Sequence, residues 1–242
     1  MSSIGKVMDI MKECDVVVYY QPILDNKTKL LHKYESLMRL NHNGKILEPS
    51  CFLQHSKEIG CYNALSKKMI VMIFEELRKF KTLNVSINIS MLNIVDIKYC
   101  ILLFSELDKT SNLERVTLEF TELDQIDFER AFLFFAELKK RGVKISLDDF
   151  GSGYANYEYL LSRDFDYLKI DGNIIKKICC DRKNEAIVES ILNYSKEFRI
   201  PIIAEHVETL EIYNKVCDMG IEYSQGYYIG RPSSSLLTKL EK

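Results

Sequence analysis

Short runs rich in β-branched and aliphatic residues alternate along this chain with longer segments of helical periodicity, and few folds accommodate such an alternation. The runs fall at 16–20, 30–40, 83–90, 116–122, 144–149, 167–171, 200–207 and 223–229, and helical segments at 65–80, 97–107, 127–141, 184–198 and 210–219. Strand followed by helix, repeated, predicts a parallel sheet covered by helices. The first connection breaks the pattern. Only residues 21–29 separate the first two runs, with Asp25 and Asn26 supplying turn chemistry, and that is too short for a parallel crossover. The first strand is therefore expected to pair antiparallel with the second. Eight runs with one such reversal predict an α/β fold, a modified TIM (β/α)8 barrel with an antiparallel first strand, and not a doubly wound sheet with a glycine-rich dinucleotide turn.

The 242 residues, 47% of them hydrophobic, can bury one sizeable core. Only ten Gly and four Pro occur and no linker-like stretch interrupts them, so residues 1–242 are expected to form a single domain. The 33 Lys and Arg against 35 Asp and Glu leave a formal charge of −2, without the basic excess that coats polymeric nucleic acid. No apolar run approaches the roughly 20 residues that cross a bilayer, and residues 1–13 mix charges with apolar side chains. A soluble, cytoplasmic protein with no membrane segment is expected. Seven cysteines, an odd count with only the vicinal Cys179 and Cys180, disfavour a disulfide framework and a thiolate zinc site; reduced, buried or half-buried thiols are the expectation. His32, His42, His55 and His206 show no metal-binding spacing.

Side chains alternate across a strand, so parity assigns faces. Asn84, Ser86, Asn88 and Ser90 share one face of their run, opposite Val85, Ile87 and Ile89. Thr117, Glu119 and Thr121 oppose Val116, Leu118 and Phe120; Lys144, Ser146 and Asp148 oppose Ile145 and Leu147; Lys169 and Asp171 oppose Leu168 and Ile170. The aliphatic faces are expected on the helices and the polar ones inside the barrel. Taken singly, each acid is more simply a cap, a salt-bridge partner or a solvated strand end. Together with Glu35 and Glu205, however, they form an all-oxygen set, Glu35, Asn88, Glu119, Asp148, Asp149 and Glu205, with Lys169 as the single positive partner. Barrel active sites lie at the C-terminal strand ends, and buried carboxylates need compensation. One or two hard divalent cations, Mg2+ or Mn2+ before Zn2+, answer that need.

At these same positions the sequence resembles the EAL-domain cyclic-di-GMP phosphodiesterases, nearly end to end. The matching pieces are Tyr20-Gln21-Pro22-Ile23, Glu35-Ser36-Leu37 followed by Arg39, Asn88-Ile89-Ser90, Leu118-Glu119-Phe120-Thr121-Glu122, Asp148-Asp149-Phe150-Gly151-Ser152-Gly153-Tyr154, Leu168-Lys169-Ile170-Asp171, Ala204-Glu205-His206-Val207-Glu208-Thr209 and Gln225-Gly226-Tyr227-Tyr228 before Arg231-Pro232. The resemblance implies hydrolysis of cyclic di-GMP to linear pGpG with two Mg2+ or Mn2+ ions per active site, Ca2+ being inhibitory. It implies Glu35, Asn88, Glu119 and Asp148 as ligands of one ion, with Asp148, Asp149 and Glu205 around the second. Lys169, Glu205, Asp149 and Glu122 take catalytic roles, Lys169 holding the attacking water or Glu205 acting as base. Gln21 and Arg39 match substrate-contacting positions, and Asp171, Glu208, Gln225 and Tyr228 are further candidates for substrate binding. Glu122 and the loop at 150–157 correspond to the family's mobile loop near its dimer contact, which implies a homodimer.

Three departures stand out. Ser36 replaces the alanine of the family's name-giving motif, His206 stands where the family usually has glycine, and His55-Ser56-Lys57-Glu58-Ile59-Gly60 matches only loosely. A receptor that grips cyclic di-GMP but turns it over weakly is the alternative reading, and a barrel hydrolase of another phosphoester the third. Most aromatics, Phe132, Phe134 and Phe135 among them, read as core, and the charged run at 181–183 as a solvated helix start.

Overall fold

Strand β1 (Asp15–Asp25) turns back directly as β2 (Leu31–His42), the two pairing antiparallel from Asp15 opposite Asn41 to Leu24 opposite Leu31. Asp25 makes the turn, as its chemistry predicts: its Oδ1 accepts the backbone N–H groups of Lys27 and Thr28 at 2.9 and 2.8 Å. The structure, a computed structural model, describes residues 14–121, 128–151 and 165–236. Next come β3 (Lys45–Leu47), α1 (Pro49–Glu58), α2 (Tyr62–Lys79), β4 (Val85–Ile89), α3 (Met91–Ile94) and α4 (Ile97–Asp108). Then follow β5 (Val116–Thr121), α5 (Phe128–Lys140), β6 (Lys144–Phe150), β7 (Tyr167–Ile170) and α6 (Gly172–Ile175). The order ends with α7 (Arg182–Phe198), β8 (Ile202–Ala204), α8 (Leu210–Asp218) and β9 (Tyr223–Gln225).

Strands β1, β2 and β4 to β9 close on themselves as an eight-stranded barrel, because β1 pairs with both β2 and β9. It is antiparallel to both, while β2, β4 and the remaining barrel strands pair in parallel. The expected fold class holds. Strand β3 is an addition outside the barrel, a short hairpin arm on β2. The Asn43-Gly44 turn makes it, with φ of 51° and 85°, a pair of left-handed residues suited to a tight hairpin.

Alternation places the core. Val116, Leu118 and Phe120 of β5 are fully buried against the helix layer, where the Phe120 ring meets Phe135 edge-on at 4.6 Å. Phe134, Phe135 and Leu138 give α5 its buried face, so the reading of these aromatics as core holds for the residues described. The main apolar cluster lies between barrel and helices. A second, smaller one, Ile23, Tyr167 and Ile203 with Tyr223, is separate from it. Parity puts this small cluster inside the barrel. Asp181 caps α7 by accepting the Lys183 N–H at 2.9 Å, with Arg182 and Lys183 exposed, as a solvated helix start should be. The seven cysteines, all among the described residues, form no disulfide, but Cys51, Cys179 and Cys180 are exposed, correcting the expectation of burial for those three. No helix of the described residues is long and apolar enough to cross a membrane.

One irregularity shapes the site. Leu147 of β6 faces Leu168 and Phe150 faces Ile170, so β6 takes three steps where β7 takes two. The extra residue is absorbed at Asp148-Asp149, with Asp149 at φ 57°, and such a bulge re-aims side chains that strict alternation would send to opposite faces.

Candidate functional site

Lys169, with no exposed surface, sits at the focus of the C-terminal end of the barrel. Its Nζ lies 2.8 Å from Glu205 Oε1, 3.0 Å from Glu119 Oε2, 3.0 Å from Asp148 Oδ1 and 3.4 Å from Glu35 Oε2. Glu35 is further held by donors: Asn88 Nδ2 to Oε1 at 2.7 Å and Gln225 Nε2 to Oε2 at 2.6 Å. Gln225 Nε2 also reaches Gln21 Oε1 at 3.2 Å, and Gln21 Nε2 donates to the Gly230 carbonyl at 3.2 Å. The carboxylates form two overlapping triads, Glu35–Glu119–Asp148 and Asp148–Asp149–Glu205, within each of which one oxygen per residue lies within 4.8 Å of the others. Asp148 belongs to both. The bulge in β6 makes this possible by bringing Asp149 to the side of the site that Asp148 occupies.

The crowding shows in the electrostatics. Burial lifts the Asp148 carboxyl well above its ordinary range, against the pull of Lys169. Burial likewise raises Asp149, and brings Glu205 up to about 7. In Glu35 burial pushes the same way, but Lys169 and the donors Gln225 and Asn88 win and hold it below its ordinary value. Burial would depress Lys169; the charges of Asp148, Glu119, Glu205 and Glu35 instead raise it well above a free lysine.

The expectation of a single positive partner is corrected here. Lys33, 3% exposed, is a second buried ammonium, 3.8 Å from Glu119 Oε1. It stands two residues before Glu35 on β2, so the same parity that turned Glu35 inward marks it. Even so, among the described residues five carboxylates face two ammoniums, and Glu119 Oε1 is buried with no hydrogen-bond donor from any of them. An all-oxygen set with excess negative charge and an orphaned carboxylate oxygen suits hard divalent cations such as Mg2+ or Mn2+, and offers nothing to a soft metal.

The remaining predicted residues divide. Arg39 is buried on the inward parity of β2, and its Nη1 donates to the Met38 carbonyl at 2.9 Å. Asp171 caps α6, its Oδ1 accepting the Asn173 N–H at 2.9 Å. Glu208 is exposed, pairing with Lys176 at 3.2 Å. Tyr228, 43% exposed, packs its ring 5.2 Å from Tyr213 of α8. Glu208 and Tyr228 thus stand outside the hydrogen-bonded set built around Lys169. Glu122 and residues 152–157 of the proposed loop lie outside the described residues. His206 adopts φ 50°, a conformation natural for the glycine it replaces, and a Cβ on Gly172 would stand 2.1 Å from His206 Cδ2, so only glycine fits beneath that ring. Ser36 is buried and donates to the Ser86 carbonyl at 2.6 Å, a bond that makes the hydroxyl tolerable where alanine is usual. A cavity of about 270 Å3 opens beside Asn88, Asp148 and Asp149 and extends among Met38, Leu53 and Met69.

The sequence profile of the EAL domain matches residues 6–232. Over 236 residues the chain is 31% identical to the cyclic di-GMP phosphodiesterase PdeB of Shewanella oneidensis, covering 94% of this chain and 28% of that protein. It is 33% identical to the cyclic di-GMP phosphodiesterase PdeA of Borreliella burgdorferi, covering 93% of this chain and 35% of that one. The chain therefore spans about a third of the length of these curated relatives. Among solved structures, an EAL domain protein from Listeria monocytogenes superposes with a TM-score of 0.85 at 27% identity, covering 97% of this chain and 94% of that one. The EAL enzyme Bd1971, in its form with cAMP and cyclic di-GMP bound, superposes at 0.84 with 25% identity, over 95% of this chain and 65% of that one. With barrel, reversed first strand and acidic rim in place, the chain belongs to the EAL domain family.

Proposed function

We propose that the chain hydrolyses cyclic di-GMP, opening one phosphodiester to give linear pGpG, with two divalent cations at the C-terminal rim of the barrel. The observation that carries this reading is the pair of acidic triads sharing Asp148 and focused on Lys169; the relatives named for this substrate support it. Charge agrees. With every group ionised the site carries three uncompensated negative charges, two divalent cations would leave one positive charge, and a phosphodiester brings one negative.

Glu35, Asn88, Glu119 and Asp148 would hold one ion and Asp148, Asp149 and Glu205 the other. Bound there, the ions supply Lewis acidity, lowering the pKa of a water and offsetting charge on the phosphoryl oxygens. Lys169, rigidly placed by its carboxylate partners, orients that water by donating to it. In the alternative assignment Glu205, 2.8 Å from Lys169, accepts the proton of that water. Arg39 presents a guanidinium fork suited to phosphate, and Gln21, opposite Glu35 on the paired strand, would contact the substrate beside the acidic centre. Gln225 acts through Glu35, which it holds at 2.6 Å, and Asp171 through the cap of α6. A homodimer is part of the same proposal.

The purified chain should release pGpG from cyclic di-GMP with Mg2+ or Mn2+, lose that activity to a chelator, and be inhibited by excess Ca2+, whose larger and looser oxygen shell misplaces the water. Chromatography of the products decides. Tight binding without pGpG would replace the enzyme by a receptor, and neither binding nor turnover would point to another phosphoester.

A further inference from the structure

Lys33 lies on the same strand and face as Glu35, one step nearer the N-terminal ends of the parallel strands, and is 3% exposed. Its Nζ is 3.4 Å from Thr117 Oγ1, 3.9 Å from the centre of the Tyr167 ring and 3.8 Å from Glu119 Oε1. Glu119 itself has no exposed surface; Oε2 takes a bond from Lys169, whereas Oε1 has no donor and faces the Lys33 charge. An ammonium group is thus built in beneath the orphaned oxygen of a proposed metal ligand, clamped by a hydroxyl and an aromatic face.

We propose that Lys33 is a positioning residue that compensates Glu119 and holds it in place while the centre lacks its divalent ions, and that its charge thereby weakens the binding of those ions. This rests on the metal-binding half of the proposed function and not on the identity of the substrate. Two cations that share Glu119 repel each other, and inside a barrel of low dielectric that repulsion is weakly screened. Lys33 therefore stabilises the metal-free barrel more than the loaded one. Coupling is reciprocal, so removing its charge must tighten metal binding by the same free energy. A lysine that merely filled space would contribute equally to both forms.

Thermal melting of the wild type, Lys33→Met and Lys33→Arg in chelator and in saturating Mn2+, with Mn2+ titration calorimetry, tests this. Lys33→Met should melt earlier in chelator, regain most of the loss in Mn2+, and so show a metal-induced rise in Tm several degrees larger than wild type. Its Mn2+ affinity should tighten about fivefold, while Lys33→Arg, which keeps the charge, stays near wild type. An equal metal-induced rise in wild type and Lys33→Met, or unchanged or weaker Mn2+ binding, overturns the proposal. A wild type that neither binds Mn2+ nor gains Tm from it overturns the metal reading itself, and this inference with it. If Lys33→Met does not fold in either condition, Lys33→Gln, which keeps a donor for Thr117, decides by the same two outcomes.

Discussion

Two levels of the barrel interior, built from the same strands and only two residues apart, solve opposite problems. The upper level carries Glu35, Asn88, Glu119, Asp148, Lys169 and Gln225; two residues earlier on the same strands stand Lys33, Ser86, Thr117, Ser146, Tyr167 and Tyr223. On the antiparallel β1 the order reverses, Gln21 belonging to the upper level and Ile23 to the lower. The lower level closes on itself: His32 stacks on Tyr223 at 4.0 Å, its Nε2 meets the Tyr167 hydroxyl at 3.1 Å, and Ile23 and Ile203 fill the space with no exposed surface. Its buried Ser86 and Ser146 hydroxyls have no hydrogen-bond partner among the described residues, but it gathers no cluster of acids. The upper level leaves acids facing one another around one ammonium, a charge that packing cannot neutralise. The same scaffold thus gives one layer to cohesion and leaves the next with an excess of acids over ammonium groups.

Three experiments would sharpen or break that contrast. The largest effect is expected from Glu35→Ala and Asn88→Ala in the upper level. Each should cut turnover by about a thousandfold or more while the protein stays folded and Tm in chelator falls only modestly, since each loses hydrogen bonds around Glu35 but neither serves the apolar packing. A collapse of Tm alongside activity would make the upper level structural. Next, Ile23→Ala in the lower level should cost about 3 kcal/mol in denaturant unfolding, by the loss of a fully buried side chain, with turnover per folded molecule within about tenfold of wild type. Equal loss of both would mean the levels are not separable.

The smallest effect is a pH dependence confined to the lower level. Burial, followed by the charges of Lys33 and Lys144, pushes His32 from its ordinary 6.5 down to about 4. A histidine whose folded pKa is depressed contributes its full stability above about 6.5 and loses it as pH falls towards 4, because the unfolded chain binds the proton first. Relative to His32→Phe, the wild type should therefore lose about 1 kcal/mol between pH 7 and pH 5, allowing for the imidazole's partial exposure. Asp148, Asp149 and Glu205, whose pKa values are raised, push the other way in both proteins, so the comparison between variants isolates the imidazole. Parallel pH profiles for the two would remove His32 from the account.

Much of this was legible from residue order alone. Alternation turned Asn88, Glu119, Asp148 and Lys169 inward because a strand's two faces are set by local geometry, and nine residues between the first two runs forbade a parallel crossover. The Asn43-Gly44 hairpin and Lys33 carried readable signals, a turn dipeptide and the parity of Glu35, and were not expected. Other features had no local signal. The bulge that puts Asp149 beside Asp148 depends on how β6 pairs with β7, and the engagement of Gln225 with Glu35, 190 positions away, exists only once the barrel closes.

The amino-acid order by itself determined which side chains face inward and that the first strand must reverse, since both follow from backbone periodicity and chain length over a few residues. Only the closed tertiary structure decided how five acids share two lysines, which oxygens are left without a donor among the described residues, and that Gln225 came to hold Glu35, because burial and charge pairing are properties of space and not of sequence separation.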